Sequence, residues 1–248
     1  MTRERTRTEG IVVELTRPSD LHGEAEWDAW CDEAHVPAAA TAAGAWAATR
    51  WEVADRPAGA SPPVGFTHVT IYELEDVPRG GPALVEHLGR SRREGFLHEL
   101  HTIIGVDVLE AASGWPGRLE PRSTVTGQVF AYVGPNDPAL DEPWNEWLAA
   151  VHIPDMLGSG GFTDASRWRR VEPARFGPNY MTIYDVEGID VMEAVARSGR
   201  AMAPAHDAGR IMRCHSGGVR AALRPAGRYG SAGWRADPAT SVRPEVGP

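Results

Sequence analysis

An α+β fold, with one β-α-β-β-α-β unit used twice along 248 residues, is what this sequence predicts. Three observations predict it. The spacing W-x-x-W-x-x-x-x-H-x-P occurs at residues 27–37 and again at 144–154. Sliding the sequence on itself by 117 residues aligns 27–51 with 144–168 without a gap, giving eight identities, six of them Trp, His, Pro or Gly. Strand-like and helix-like periodicities then alternate in the same order in both copies. A period this long, present only twice, is a domain duplication and not a solenoid.

The elements follow in order. "GIVVELTR" (10–17) and "GQVFAYVG" (127–134) are short β-branched or apolar runs that read as first strands. Helical stretches come next, around 24–34 and 141–151. Pro37 and Pro154 cannot extend them without losing a hydrogen bond, so each is expected to end or kink near His35 and His152. Second strands end in "TRWEV" and "SRWRRVE", after Gly44 and Gly161. In the third strands, "GFTHVTIYEL" and "PNYMTIYDV", the alignment offset falls to 112, the lost residues coming from the loop "RPAGASPP". Second helices are expected at about 81–100 and 188–210, then last strands at 103–111 and 217–224. The repeats thus span 10–112 and 127–224, with 113–126 as linker and 1–9 and 226–248 as flexible ends.

Composition narrows the function. A net charge of −9 with no basic run argues against a nucleic-acid-binding face. No apolar stretch approaches ~20 residues and the N-terminus has no apolar core, so neither a membrane span nor a signal peptide is expected. Two distant cysteines, Cys31 and Cys214, make no disulfide framework and no C-x-x-C pattern, which suits a reducing cytoplasm. All 25 basic residues are arginine, so lysine Schiff-base chemistry is excluded. Glycine-rich phosphate loops and the G-x-S-x-G elbow are missing as well.

Two β-α-β-β-α-β units of the ferredoxin-like kind, with the helix-1 aromatic stripe and H-x-P, resemble the dimeric α/β-barrel superfamily. The likeness is to its EthD-like and polyketide cyclase or monooxygenase branch, with both halves fused into an intramolecular pair. It covers most of residues 10–224. The resemblance implies a pocket between helices and sheet in each half, apolar with a few His, Tyr, Trp or Arg groups. Superfamily chemistry ranges from cofactor-free monooxygenases, cyclases and isomerases to haem-bound members, so the fold alone selects none.

Candidate site residues lie on helix 1 and on the second and third strands. Trp27, Trp30 and His35, like Trp144, Trp147 and His152, fall on neighbouring parts of one helical face. The tryptophans either pack on the sheet or line a substrate pocket. The histidines either satisfy helix-end carbonyls or act as general acid or base. Alternation places His68 and Tyr72, and in the second copy Tyr180 and Tyr184, on one strand face. A His and Tyr pair there suits deprotonation of a carbon acid and hydrogen bonding of the resulting enolate. Arg50 and Arg167 either clamp a substrate oxyanion or pair with acidic side chains. "HELH" (98–101), with Glu94 one turn back, is a weak metal pattern missing from the second copy, and no metal is expected.

The leading expectation is a cofactor-independent enzyme acting on a small aromatic or polyketide-like metabolite by cyclisation, isomerisation, elimination or oxidation. Its catalytic groups would be His35, His68 and Tyr72 in the first copy, or His152, Tyr180 and Tyr184 in the second, with the first favoured for its extra histidine. A haem protein using His206 or His215, and a non-catalytic carrier of a hydrophobic metabolite, are the alternatives. The fused pair is expected as a monomeric pseudo-dimer or as a homodimer.

Overall fold

The computed structural model describes residues 8–54, 64–112, 124–174, 178–210, 212, 215–230 and 233–236. The linker 113–123 and the terminal stretches 1–7 and 237–248 lie outside the described residues. Contacts divide the chain into two units. The first comprises Thr8–Glu52, Pro57–Val108 and the segment from Pro225; the second comprises Leu109–Arg224 with Val53–Arg56.

The first unit runs β1 (Gly10–Pro18), α1 (Glu24–Trp30), α2 (Val36–Ala43), β2 (Ala47–Val53), β3 (His68–Leu74), α3 (Val77–Arg93) and most of β4 (His101–Ala111). Its strands lie in the order β2-β3-β1-β4, which makes β1 and β3 central. They pair antiparallel from Gly10 opposite Leu74 to Thr16 opposite His68. The second unit repeats this with β5 (Val125–Pro135), α4 (Asp141–Trp147), α5 (Ile153–Gly158), β6 (Asp164–Arg170), β7 (Tyr180–Glu187), α6 (Val191–Asp207) and β8 (His215–Gly230). Its order is β6-β7-β5-β8. Registers agree residue for residue: Val12 faces Tyr72 and Glu14 faces Thr70, as Val129 faces Tyr184 and Ala131 faces Thr182.

The prolines of H-x-P do not stop the helix. Between α1 and α2 the chain widens into a π turn over Cys31–His35, and the same turn spans Leu148–His152 between α4 and α5. The Val36 N–H reaches back to Cys31, and the Ile153 N–H to Leu148, one residue further than an α-helix allows. Pro37 and Pro154 then fall in the first turn of the next helix, where a missing N–H costs nothing. The extra residue in the turn swings the histidine round the helix, and α2 ends properly only at Gly44, in the left-handed conformation at φ 63°.

Two other boundaries differ from expectation. Helix α3 starts at Val77, because Asp76 caps it by accepting from the Arg79 N–H at 3.1 Å, and stops at Arg93 before Gly95 at φ 74°. "HELH" therefore sits in a turn leading into β4 and not on a helix. Part of the end expected to be flexible is a hairpin: β8 runs on to Gly230 and pairs with β9 (Gly233–Ala236).

Each unit packs its helices on one face of its sheet. Val12, Val36, Ala40, Leu74, Leu84 and Leu88 are among the buried residues of the first core. Val129, Trp144, Ile153, Met156, Phe162 and Val191 are among those of the second. Both cores include a helix contact too close for a side chain. A Cβ on Gly80 would lie 2.6 Å from the Ala43 carbonyl oxygen, and one on Gly161 would lie 2.6 Å from that of Ala194. Gly80→Ala and Gly161→Ala should each destabilise by roughly 1–3 kcal/mol through overpacking, read as a lower urea midpoint with unchanged slope.

Candidate functional site

In the first unit the central strands and the π turn bring four polar groups together out of reach of water. Glu14, in the middle of β1, is fully buried. Its Oε2 accepts from the Tyr72 hydroxyl at 2.9 Å, and His35 Nε2 lies 3.0 and 3.1 Å from its two oxygens. His101, the first residue of β4, places Nε2 3.5 Å from Oε1. On the other side of that ring, the Trp27 indole N–H donates to Nδ1 at 3.0 Å. Indole nitrogen is a donor only, so Nδ1 must be the bare nitrogen and Nε2 carries the proton. Burial pushes the pKa of His101 down, keeping the ring neutral.

Burial alone would raise the Glu14 pKa. The adjacent His35 and His101 rings outweigh it and hold Glu14 well below the usual carboxylate range. Burial and the adjacent Glu14 charge push Tyr72 the other way, so its phenol keeps its proton and donates. Trp30 closes the group, stacking on His35 at 4.9 Å between ring centres and meeting His101 edge-on at 5.0 Å.

Glu14, His35 and His101 have ligand atoms within 4.8 Å of one another, the spacing of a metal site. The tautomer argues otherwise. A metal on His101 Nε2 would displace the proton to Nδ1 and set it against the Trp27 N–H. The donor set therefore fits an internal carboxylate cage and not a metal. The sequence grouping of His98 with His101 does not form either, since His98 packs against Trp30, at 5.6 Å between ring centres, with Nε2 3.7 Å from Glu26.

His68 is not part of this cage. It lies beside Trp27, at 4.9 Å between ring centres, with Nδ1 2.9 Å from the Thr67 hydroxyl and Nε2 3.5 Å from Asp28. Arg50 is buried next to it and paired with Asp28 and with Asp32, the latter at 2.8 Å. Its guanidinium is thus taken up by the chain's own carboxylates. Cys31 is buried, and desolvation pushes its thiol pKa far up, leaving it inert.

The second unit keeps the frame and changes the filling. His152 again follows the π turn and stacks on Trp147, at 5.2 Å between ring centres. Trp147 is held by donating its N–H to the Arg210 carbonyl at 2.9 Å. Where the first unit has Glu14, the second has Ala131. A cavity of about 500 Å³ opens there, lined by Val129, Ala131, Trp144, Trp147, Leu148, His152, Met156, Thr182, Tyr184, Ser198, Met202 and Arg220, among others. Its size and apolar lining with a few polar groups are those of a small-molecule site. Burial raises the Tyr184 pKa, opposed by Arg167 and Arg220, so its phenol stays protonated.

Tyr180 and Arg167 stand outside the cavity lining. The Tyr180 hydroxyl donates to Asp141 at 2.8 Å and accepts from Asn145 at 3.2 Å. Arg167 lies over the Trp144 and Tyr180 rings and donates to the Asn145 side-chain oxygen at 2.7 Å, and burial pulls its pKa down to about 10. So the structure brings His35 together with Tyr72, and His152 with Tyr184, while His68 and Tyr180 go to a neighbouring cluster. Sequence reasoning missed Glu14 and Ala131, and placed His101 only in a weak metal pattern with His98. The signal for the first was present: a lone carboxylate inside the apolar run "IVVELT", with alanine 117 residues on.

No family model and no curated protein matches the sequence. Solved structures do. The chain is similar to a dye-decolorizing peroxidase from Bacteroides thetaiotaomicron (10% identity, TM-score 0.56, covering 90% of this chain and 94% of that one). It is similar to a heme-binding protein from Thermus thermophilus (9% identity, TM-score 0.54, 90% and 92%). An anthrone oxidase-like protein is a third (13% identity, TM-score 0.51, 91% and 94%). At these identities the likeness shows the fold: the α+β, doubled ferredoxin-like arrangement of the dimeric α/β-barrel class. Among the described residues no helix is long and apolar enough to cross a membrane.

A haem needs an axial ligand and cations for its propionates. Among the described residues the cavity lining offers one imidazole, His152, whose ring is stacked against Trp147, and one arginine, Arg220. The side chains of His206 and His215 lie outside those described. The described lining, with a single cation for paired propionates, does not fit a haem.

Glu14 supplies a stability prediction. Its folded pKa is lowered, so its contribution is complete above the ordinary carboxylate range, about 4.3, and is lost as pH falls below it. Glu14→Gln should cost roughly 3–5 kcal/mol near neutrality. The gap between variant and parent urea midpoints should hold from pH 6 to about 5 and narrow as pH is lowered from there to 3.

Proposed function

We propose that the second-unit cavity is the active site of a small-molecule enzyme that works without a metal or organic cofactor. Its substrate is an aromatic or polyketide-like compound with an acidic C–H next to a carbonyl, or a phenol. The single observation that carries this reading is the apolar cavity of about 500 Å³ that His152 and Tyr184 both line. His152 takes the proton as general base. Tyr184, whose burial keeps its hydroxyl protonated, donates to the oxygen on which negative charge gathers. Trp147, Met156 and Met202 receive the flat apolar body of the substrate.

The deprotonated substrate can then cyclise, isomerise, eliminate or react with dioxygen. The likeness to an anthrone oxidase-like protein favours the last, and makes anthrone a sensible first substrate to offer under air. Placing the chemistry in the second unit departs from the sequence-based preference for the first. There the corresponding space is filled by the Glu14 cage, with the His35 side chain only 4% exposed.

The test is turnover of anthrone and related carbon acids by the wild type and by His152→Gln and Tyr184→Phe. Loss of general-base and oxyanion contributions should lower kcat by about 10²–10⁴-fold for the histidine and about 10²–10³-fold for the tyrosine, with modest changes in KM. Unchanged kcat in both variants would sink this reading. Binding without turnover in the wild type would instead make the protein a carrier, and a Soret band appearing on addition of haemin would restore the haem reading.

A further inference from the structure

The two units differ at one position in a way that identifies what the cavity binds. Ala131 occupies in β5 the register that Glu14 occupies in β1: each faces a threonine, Thr182 or Thr70, and stands two residues from the partner of a tyrosine, Tyr184 or Tyr72. In the first unit that position is an anion inside a ring of donors. The Tyr72 hydroxyl, His35 Nε2 and His101 Nε2 all face the Glu14 carboxylate, and Trp27 spends its indole N–H on His101.

The second unit retains two of these donors and has alanine in place of the anion. His152 and Tyr184 line the cavity beside Ala131. Trp144, the counterpart of Trp27, has a buried indole N–H with no acceptor, and the Thr182 hydroxyl is buried without a partner; both residues line the same cavity. No carboxylate lies among the described lining residues, whereas Arg220 adds a positive charge. Behind Thr182, Arg167 is buried on β6, hydrogen-bonded to neutral Asn145 where its counterpart Arg50 holds two aspartates. Buried donors left unpaired are costly unless something accepts from them.

We infer that the ligand of the second unit supplies the missing anion: an aromatic compound that sets an ionised oxygen, as carboxylate, phenolate or enolate, at the place of the Glu14 carboxylate, next to Ala131. This rests on the same cavity as the proposed function and names its substrate class. For a carbon-acid substrate the two fit together. His152 removes the C–H proton, the electron pair of that bond passes to the carbonyl oxygen, and the resulting imidazolium and enolate stand as His35 and Glu14 stand in the first unit. Glu14 is in effect a built-in copy of the reacting anion.

Binding of an unreactive probe tests this apart from turnover. 2-Naphthoate should bind the full-length protein about 10- to 100-fold more tightly than neutral 2-naphthamide, followed by quenching of tryptophan fluorescence. Ala131→Glu should fill the site with its own carboxylate, abolish 2-naphthoate binding and keep or raise the melting temperature. The converse variant, Glu14→Ala, opens a carboxylate-sized hole in the first unit, and formate or acetate should raise its melting temperature by more than that of the wild type.

Equal affinity for 2-naphthoate and 2-naphthamide, or 2-naphthoate binding that survives in Ala131→Glu, would overturn the inference. If Ala131→Glu does not fold, the carboxylate rescue of Glu14→Ala decides alone, and its failure counts against. Turnover that depends on His152 in a protein indifferent to 2-naphthoate charge would overturn the inference and leave the proposed function standing. Charge-selective binding lost in Ala131→Glu, with turnover indifferent to His152, would do the reverse.

Discussion

A carboxylate sealed from water has to be compensated by the protein around it, and in the first unit everything near the centre is arranged for that one group. Glu14 reaches its position because β1 and β3 pair in the register that sets Tyr72 diagonally beside it. His35 reaches it because the π turn rotates the ring inward, and His101 because β4 begins at that residue. Trp27 then fixes which nitrogen of His101 carries the proton. Desolvating a charge costs several kcal/mol, so the arrangement holds only while all the donors are in place. Loss of one leaves the others facing an uncompensated anion.

The second unit separates the frame from the filling. It has the same strand order, the same π turn ending in histidine, the same tryptophan stacked on that histidine and the same tyrosine opposite the first strand. These features therefore hold whether or not a carboxylate is present, and they belong to the architecture. What changes is a small set of side chains: Glu14 becomes Ala131, Asp28 becomes Asn145 and Asp32 becomes Ala149. Each change removes a negative charge from beside groups that donate hydrogen bonds or carry positive charge. The first unit is closed and electrostatically complete, whereas the second is hollow and short of anions.

Much of this was legible in the sequence, and the failures have physical causes. The repeated unit and the element order follow from spacing and alternation, which report directly on which side chains share a face. The π turn was not legible. Proline signals a helix stop through its missing N–H, and only the helix that resumes beyond it shows that a wider turn made that loss harmless. His101 was read with His98 on one helix face, a neighbourhood that vanishes once Gly95 ends the helix early. The preference for the first unit followed its extra histidine, His68, which sits beside Trp27 and Asp28 and apart from the Glu14 cage.

A cavity is hardest to read from sequence because it depends on what is missing, and alanine at 131 is silent unless glutamate at 14 is set beside it. The duplication makes that comparison possible within one chain, with strand register in place of an alignment of relatives. It also explains why an incomplete site can persist in a folded protein. Trp144 and Thr182 leave donors unsatisfied, which costs roughly 1–3 kcal/mol for each group until an acceptor arrives. That deficit is returned when an anion binds, so the strain of the empty site becomes affinity for charge. In the first unit the Glu14 carboxylate makes the same return internally.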